Sequence, residues 1–134
     1  MSYLKIYCST LIIFLLFDFI WLGMIAKSFY KEQIGFLMAD QINWMAAIFF
    51  YLIFTAGLVL FPIQQSLSYE NAKMAWLYGA IFGFVCYATY DLTNLATLKS
   101  WPIQVTLLDL IWGAFISGST TWLVHLMFLP SDKS

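Results

Sequence analysis

The chain has 134 residues, of which 63% are hydrophobic, 20% aromatic and only 10% charged, with a net charge of −1. A soluble domain is close to half apolar and a quarter charged, so a water-soluble globule is excluded and a single all-α integral membrane domain over residues 1–134 is expected. All six basic residues are lysine; the missing arginine clamp and the absence of any basic patch argue against phosphoryl transfer and against nucleic acid as a partner.

The first apolar run covers about residues 6–26, enough to cross a bilayer with modest tilt. It follows Lys5 as a signal peptide would, yet it contains Asp18 and lacks a small-x-small cleavage site, so it is read as a retained span. Residues 27–43 mix lysines, Glu32, Gln33 and Asp40 with apolar positions. Tyr30, Ile34, Leu37 and Met38 recur at helical spacing, which predicts a short helix lying in the membrane interface.

A second span follows over about 44–63, with Pro62 near its end and a polar connection at 64–71. The third and fourth spans, about 72–98 and 102–129, are joined by Lys99, Ser100, Trp101 and Pro102, the proline falling in the first turn of the last helix. Pro130 and the polar tail are expected to end that helix. The fold class is thus a bundle of four transmembrane helices with both termini on one side. The lysines divide almost evenly between the two faces, and cytoplasmic termini are the reading adopted. Trp44, Trp76, Trp101 and Trp122 fall near span ends and are assigned to the interfacial aromatic belt.

Polar groups inside the apolar runs carry the functional argument, because an ionisable residue within a membrane is costly and marks a site by default. Asp91 and Asp109 are equidistant from Ser100 in the turn between spans 3 and 4, so in an antiparallel hairpin each lies about 13 Å below that turn. Asp18 lies about 12 Å from the same face at the end of span 1, and Tyr51 on span 2 reaches that level. Gly79, Gly83, Tyr87, Asp91 and Asn94 share one face of span 3. Thr106, Asp109, Gly113, Ser117 and Thr120 form a matching small and polar stripe on span 4. The glycine pair is read as a surface for packing within the bundle. On span 1 the face around Asp18 is otherwise apolar, and its aim is left open. Asp18 and Trp21 have the same spacing as Asp109 and Trp112, a likeness read as convergence instead of an internal repeat.

Burial and mutual repulsion both penalise ionised carboxylates, and no lysine shares their depth. The acids must therefore hold protons, a metal ion (through Asp91 and Asp109), or a cationic or hydrogen-bond-donating ligand, or else open to water. Tyr51, Tyr87 and Tyr90 are candidate donors to them. The competing structural reading has Asp91 capping a helix break and Asp109 bonding to span 3. Cys8 and Cys86 lack metal-ligand spacing and are read as small buried thiols. His125 is read as an interfacial residue near a helix end. Zinc, haem and retinal are not expected, since neither paired histidine ligands nor a mid-span lysine is present.

The run Tyr90-Asp91-Leu92-Thr93-Asn94-Leu95-Ala96-Thr97, with DFIWLG in span 1, the FY and IGFLMA segments after it and DLIWG in span 4, resembles a family of small four-span bacterial membrane proteins known as domain of unknown function 2177. Asp18, Trp21, Gly23, Tyr90, Asp91, Asn94, Trp101, Asp109, Trp112 and Gly113 match its motifs. The resemblance implies a multi-pass protein of the bacterial inner membrane and carries no activity. The leading functional expectation is binding or transport of a proton, cation or small polar molecule at Asp18, Asp91, Asn94 and Asp109, with Tyr51, Tyr87, Tyr90, Trp21 and Trp112 around them. Membrane lipid and a second copy of the chain are the expected partners. An intramembrane enzyme acting on a lipid or isoprenoid through an aspartate acid–base pair, and an accessory subunit of a membrane complex, are the alternatives.

Overall fold

The computed structural model describes residues 2–129; Pro130 and the tail expected to end the last helix lie outside the described residues. Helix α1 (Tyr3–Ile20) opens at Ser2, whose hydroxyl accepts from the Lys5 amide at 3.4 Å, occupying one of the orphan donors of the first turn. It widens into a π-helical turn at Trp21–Ile25 and breaks at Ala26. Helix α2 (Lys27–Ile34) follows and tightens into a 3₁₀ turn at Gly35–Leu37. The amphipathic segment is therefore shorter than its periodicity suggests. Met38 falls outside it in extended backbone, and both Leu37 and Met38 are exposed.

Helix α3 (Trp44–Leu58) is capped by Asn43, whose side chain accepts from the Ala46 amide at 3.1 Å. Pro62 does not end this rod. It sits in a second π-helical turn, Val59–Ile63, and the chain continues as α4 (Gln64–Tyr69). A proline inside a helix removes one amide donor and crowds the carbonyl one turn back; a widened turn relieves both. The stretch expected as a polar connection is thus mostly helical, and the reversal is confined to Glu70, with φ 56°, and Asn71. Asn71 then caps α5 (Ala72–Thr97) by accepting from the amides of Lys73 and Met74. After a turn with Ser100 at φ 63°, Pro102 stands immediately before α6 (Ile103–Phe128) as its cap, not inside its first turn.

The described residues form helices and turns without a strand. Three rods are long and apolar enough to cross a membrane: Tyr3–Ile25, Trp44–Tyr69 and Ile103–Phe128. Helix α5 equals α6 in length but is less apolar, and it is not among the three. Many large side chains of the rods point outward, among them Leu16, Phe19, Ile53 and Ile111. That surface suits lipid tails and would be untenable in water.

Helix α6 lies innermost, with buried residues from Val105 to His125. Its most extensive partner is α5. A methyl group at Gly79 would overlap Ser117 and Thr121, and one at Gly83 would overlap the Gly113 carbonyl and Ser117. The two glycines serve close approach within the protein, as their spacing suggested. Helix α1 packs on α6 and α3 packs on α1, with Phe14, Phe54 and Ile116 in one core cluster, and the Tyr7 hydroxyl donates to the Leu52 carbonyl at 2.8 Å. The α3–α4 rod meets α5 mainly through its π turn and α4. Above that point it reaches α5 through Phe54, whose ring lies 5.7 Å from Phe82 and 6.2 Å from Tyr87. A cleft opens beyond this contact.

Three environments differ from expectation. Trp101 is buried and donates from Nε1 to the Thr106 hydroxyl at 3.0 Å, because the short turn folds its indole back over α6. Trp44, Trp76 and Trp122 are exposed. His125 is also buried and shares a hydrogen bond of 3.2 Å with Ser66, since α4 covers it. Cys8 is exposed on α1 and Cys86 is half-buried, so neither is a sealed thiol.

Candidate functional site

Asp18, Asp91 and Asp109 are all buried, at 5%, 0% and 8% exposure. Asp18, whose direction its own helix left open, points inward. It accepts from the Tyr51 hydroxyl at 2.5 Å and more distantly from Trp112 Nε1 at 3.5 Å. Asp109 accepts from the hydroxyl of Tyr30, on α2. That hydroxyl in turn accepts from Trp21 Nε1 at 3.1 Å.

The two Asp and Trp pairs that share a spacing therefore interlock crosswise. The tryptophan that follows Asp109 serves Asp18, while the tryptophan that follows Asp18 serves Asp109 through Tyr30. Between them the indoles of Trp21 and Trp112 stack with centroids 4.3 Å apart and planes 7° from parallel. Stacking of large rings adds about 1 kcal/mol beyond their burial, and here it fixes α1 against α6 at the level of the acids.

Asp91 is different. Its carboxyl neighbours that of Asp109. Neither oxygen of Asp91 finds a hydrogen-bond partner among the described residues. Leaving a buried polar group unmatched costs about 1–3 kcal/mol, and more if it is charged. The reading of Asp91 as a helix cap fails, since α5 continues through Asp91 to Thr97. Among the described residues no cation acts on any of the three acids. Asp18 and Asp109 are near enough to repel one another. The arrangement is thus two neighbouring carboxyls, Asp91 and Asp109, with Asp18 held apart by its own donors Tyr51 and Trp112. Among the described residues no group of three His, Cys, Asp or Glu side chains is placed to hold a metal ion.

The aromatic candidates divide. Tyr51, Trp21 and Trp112 belong to the network. Tyr87 packs its ring on Gly113, and Tyr90 is exposed, 5.8 Å and edge-on to Trp101; neither hydroxyl bonds to a carboxylate. Asn94 lies beside Tyr90 and makes no bond to the acids. Tyr30 supplies the donor that sequence reasoning placed elsewhere. Its spacing marked it as part of an apolar helical face, and only the break at Ala26 lets α2 bring its hydroxyl to Asp109 on α6. Burial, and then the bond to Asp109, push its hydroxyl well above the ordinary phenol range.

A cleft of about 390 Å³ between α3 and α5 is lined by Phe50, Phe54, Cys86, Tyr87, Tyr90 and Asp109. Its walls are almost wholly apolar and Asp109 is its one carboxyl.

An all-helical chain with three rods fit to cross a membrane and acids buried between its helices is a multi-pass membrane protein. The family model described as predicted membrane protein (DUF2177) matches residues 3–126, and the chain belongs to that family. No curated protein and no solved structure matches it.

Proposed function

We propose that this protein crosses the bacterial inner membrane four times, with α5 as the fourth crossing and α2 in the interface, and that Asp91 and Asp109 bind a proton or a small cationic, hydrogen-bond-donating group within the bilayer. The observation that carries the reading is Asp91. It is a fully buried carboxyl whose oxygens find no hydrogen-bond partner among the described residues, while the neighbouring acids Asp18 and Asp109 are each served by aromatic donors. A group that serves only to hold helices together would be expected to have its hydrogen bonds made. A protonated pair can exchange its proton for an ammonium-type donor without bringing an unpaired charge into the membrane. A metal ion fits less well, since hard cations take six or more oxygen ligands and no third ligand joins the pair.

The test is thermal unfolding of the purified protein in mild detergent with methylammonium, ethylammonium and sodium. Selective binding raises the midpoint with concentration, and Asp91→Asn abolishes the rise. No cation producing a rise that depends on Asp91 would refute the reading.

A further inference from the structure

The cleft between α3 and α5 gives the acid pair an approach from the side. It arises because the α3–α4 rod joins α5 through the π turn at Val59–Ile63 and diverges above it. Its mouth carries Phe50 and Tyr90, both exposed on the outer surface of the bundle. Phe54 and Tyr87 form its wall, edge to face with planes 87° apart. Asp109 stands at its inner end, and its neighbour Asp91 is a buried carboxyl without a hydrogen-bond partner among the described residues.

The volume lies at the low end of the range for small-molecule sites. Apolar walls ending on acids with no cation of their own complement one chemistry: an alkyl chain that terminates in a positive donor. A free aqueous cation would gain nothing from Phe50, Phe54 and Tyr90, and an anionic lipid would meet like charge at the far end.

We infer that the ligand of this site is a single-chain amphiphile with an ammonium-type head, which enters sideways from the bilayer between α3 and α5, lays its chain along Phe50, Phe54 and Tyr87 and places its head on Asp109 and Asp91. The inference rests on the acid pair being a cation or donor site, and specifies which molecules reach it.

Cys86 lines the cleft, whereas Cys8 is exposed on α1 outside it. One wild-type protein therefore carries both a reporter and an internal reference. The protein, reconstituted in phosphatidylcholine vesicles, is treated with N-ethylmaleimide, and alkylation of each cysteine is followed by peptide mass spectrometry. With dodecylammonium at several times its dissociation constant, modification of Cys86 should slow about fivefold while that of Cys8 is unchanged. Ethylammonium, too short to fill the cleft, should leave both rates unaltered. Asp109→Asn should remove the protection, and Cys86→Trp, which fills the cleft, should abolish stabilisation by dodecylammonium while keeping that by ethylammonium.

Equal slowing of both cysteines, or no slowing of Cys86, would overturn lateral entry. If ethylammonium still raised the unfolding midpoint through Asp91 in that case, the acid-pair reading would survive. If it did not, both would fall. Because the alkylation comparison uses unmodified protein, misfolding of a variant cannot decide the outcome.

Discussion

Tyr30 is the residue on which the acid site and the segment above it meet. Its hydroxyl donates to Asp109 and accepts from Trp21, so Tyr30→Phe removes one partner from each while keeping the ring. The expected cost is about 2 kcal/mol, the usual scale for a hydrogen bond to a charged acceptor, read as a lower unfolding midpoint in detergent. The same hydroxyl sets an alkaline limit. Its acidity is weakened in the folded protein, so its contribution is fully present below the unfolded phenol value of about 10 and is lost as pH rises beyond it. Wild type should therefore lose stability more steeply than Tyr30→Phe between about pH 9 and 11. Trp112→Phe makes a complementary case: it preserves an aromatic face for Trp21 but withdraws the donor from Asp18. At 3.5 Å that bond is long, and the loss should be smaller, about 1 kcal/mol. A Trp112→Phe cost well above that of Tyr30→Phe would show that the stacked rings, more than the donors, hold the acids in place.

Among the elements, the α5–α6 hairpin is the rigid member and the π turns are the adjustable ones. Gly83 faces the Gly113 carbonyl without space for a methyl group, whereas Gly23, in the first π turn, has nothing within 4 Å of the same position. Gly83→Ala must separate two helices along their closest contact and should cost about 1–3 kcal/mol, while Gly23→Ala should be neutral or gain up to about 1 kcal/mol in helix propensity. A denaturant titration of the two single variants compares them directly, and equal effects would contradict the packing. Each π turn also redirects a helix toward the site. The one at Trp21–Ile25 leads into α2 and brings Tyr30 within reach of Asp109, and the one at Val59–Ile63 leaves α3 apart from α5 where the cleft opens. Widened turns of this kind recur at functional positions in helices. Helix starts were legible in the chain: the spans expected from about 44 and 72 begin at Trp44 and Ala72, where Asn43 and Asn71 accept first-turn amides. The π turns were not, since Pro62 reads equally well as a helix end when only neighbours in sequence are considered.

On the scale of the whole molecule, the proposed fourth crossing has a direct consequence. If α5 crosses, its two ends lie on opposite sides of the membrane. Single cysteines introduced at Ser68 and Ser100, with Cys8 and Cys86 replaced by serine, should then react with an impermeant maleimide from opposite faces of sealed vesicles. Labelling of both from the same face would leave three crossings and return α5 to one side. The length, apolar runs and short turns of the chain were enough to determine an all-helical membrane protein, the α5–α6 hairpin and the shared level of its acids, because helical rise and period are local properties of the backbone. Equal depth does not specify which carboxyl touches which, nor which aromatic donor serves it. Those depend on how rods distant in sequence rotate and lean against one another. Only the tertiary structure decided that Asp91 is left without a hydrogen-bond partner among the described residues while Asp18 stands with Tyr51, that Trp21 and Trp112 exchange partners, and that Tyr30 closes the network from outside the long helices. The physical reason is that buried polar groups take the partners which packing of the large rings leaves within reach, and that packing is settled between helices, not along them.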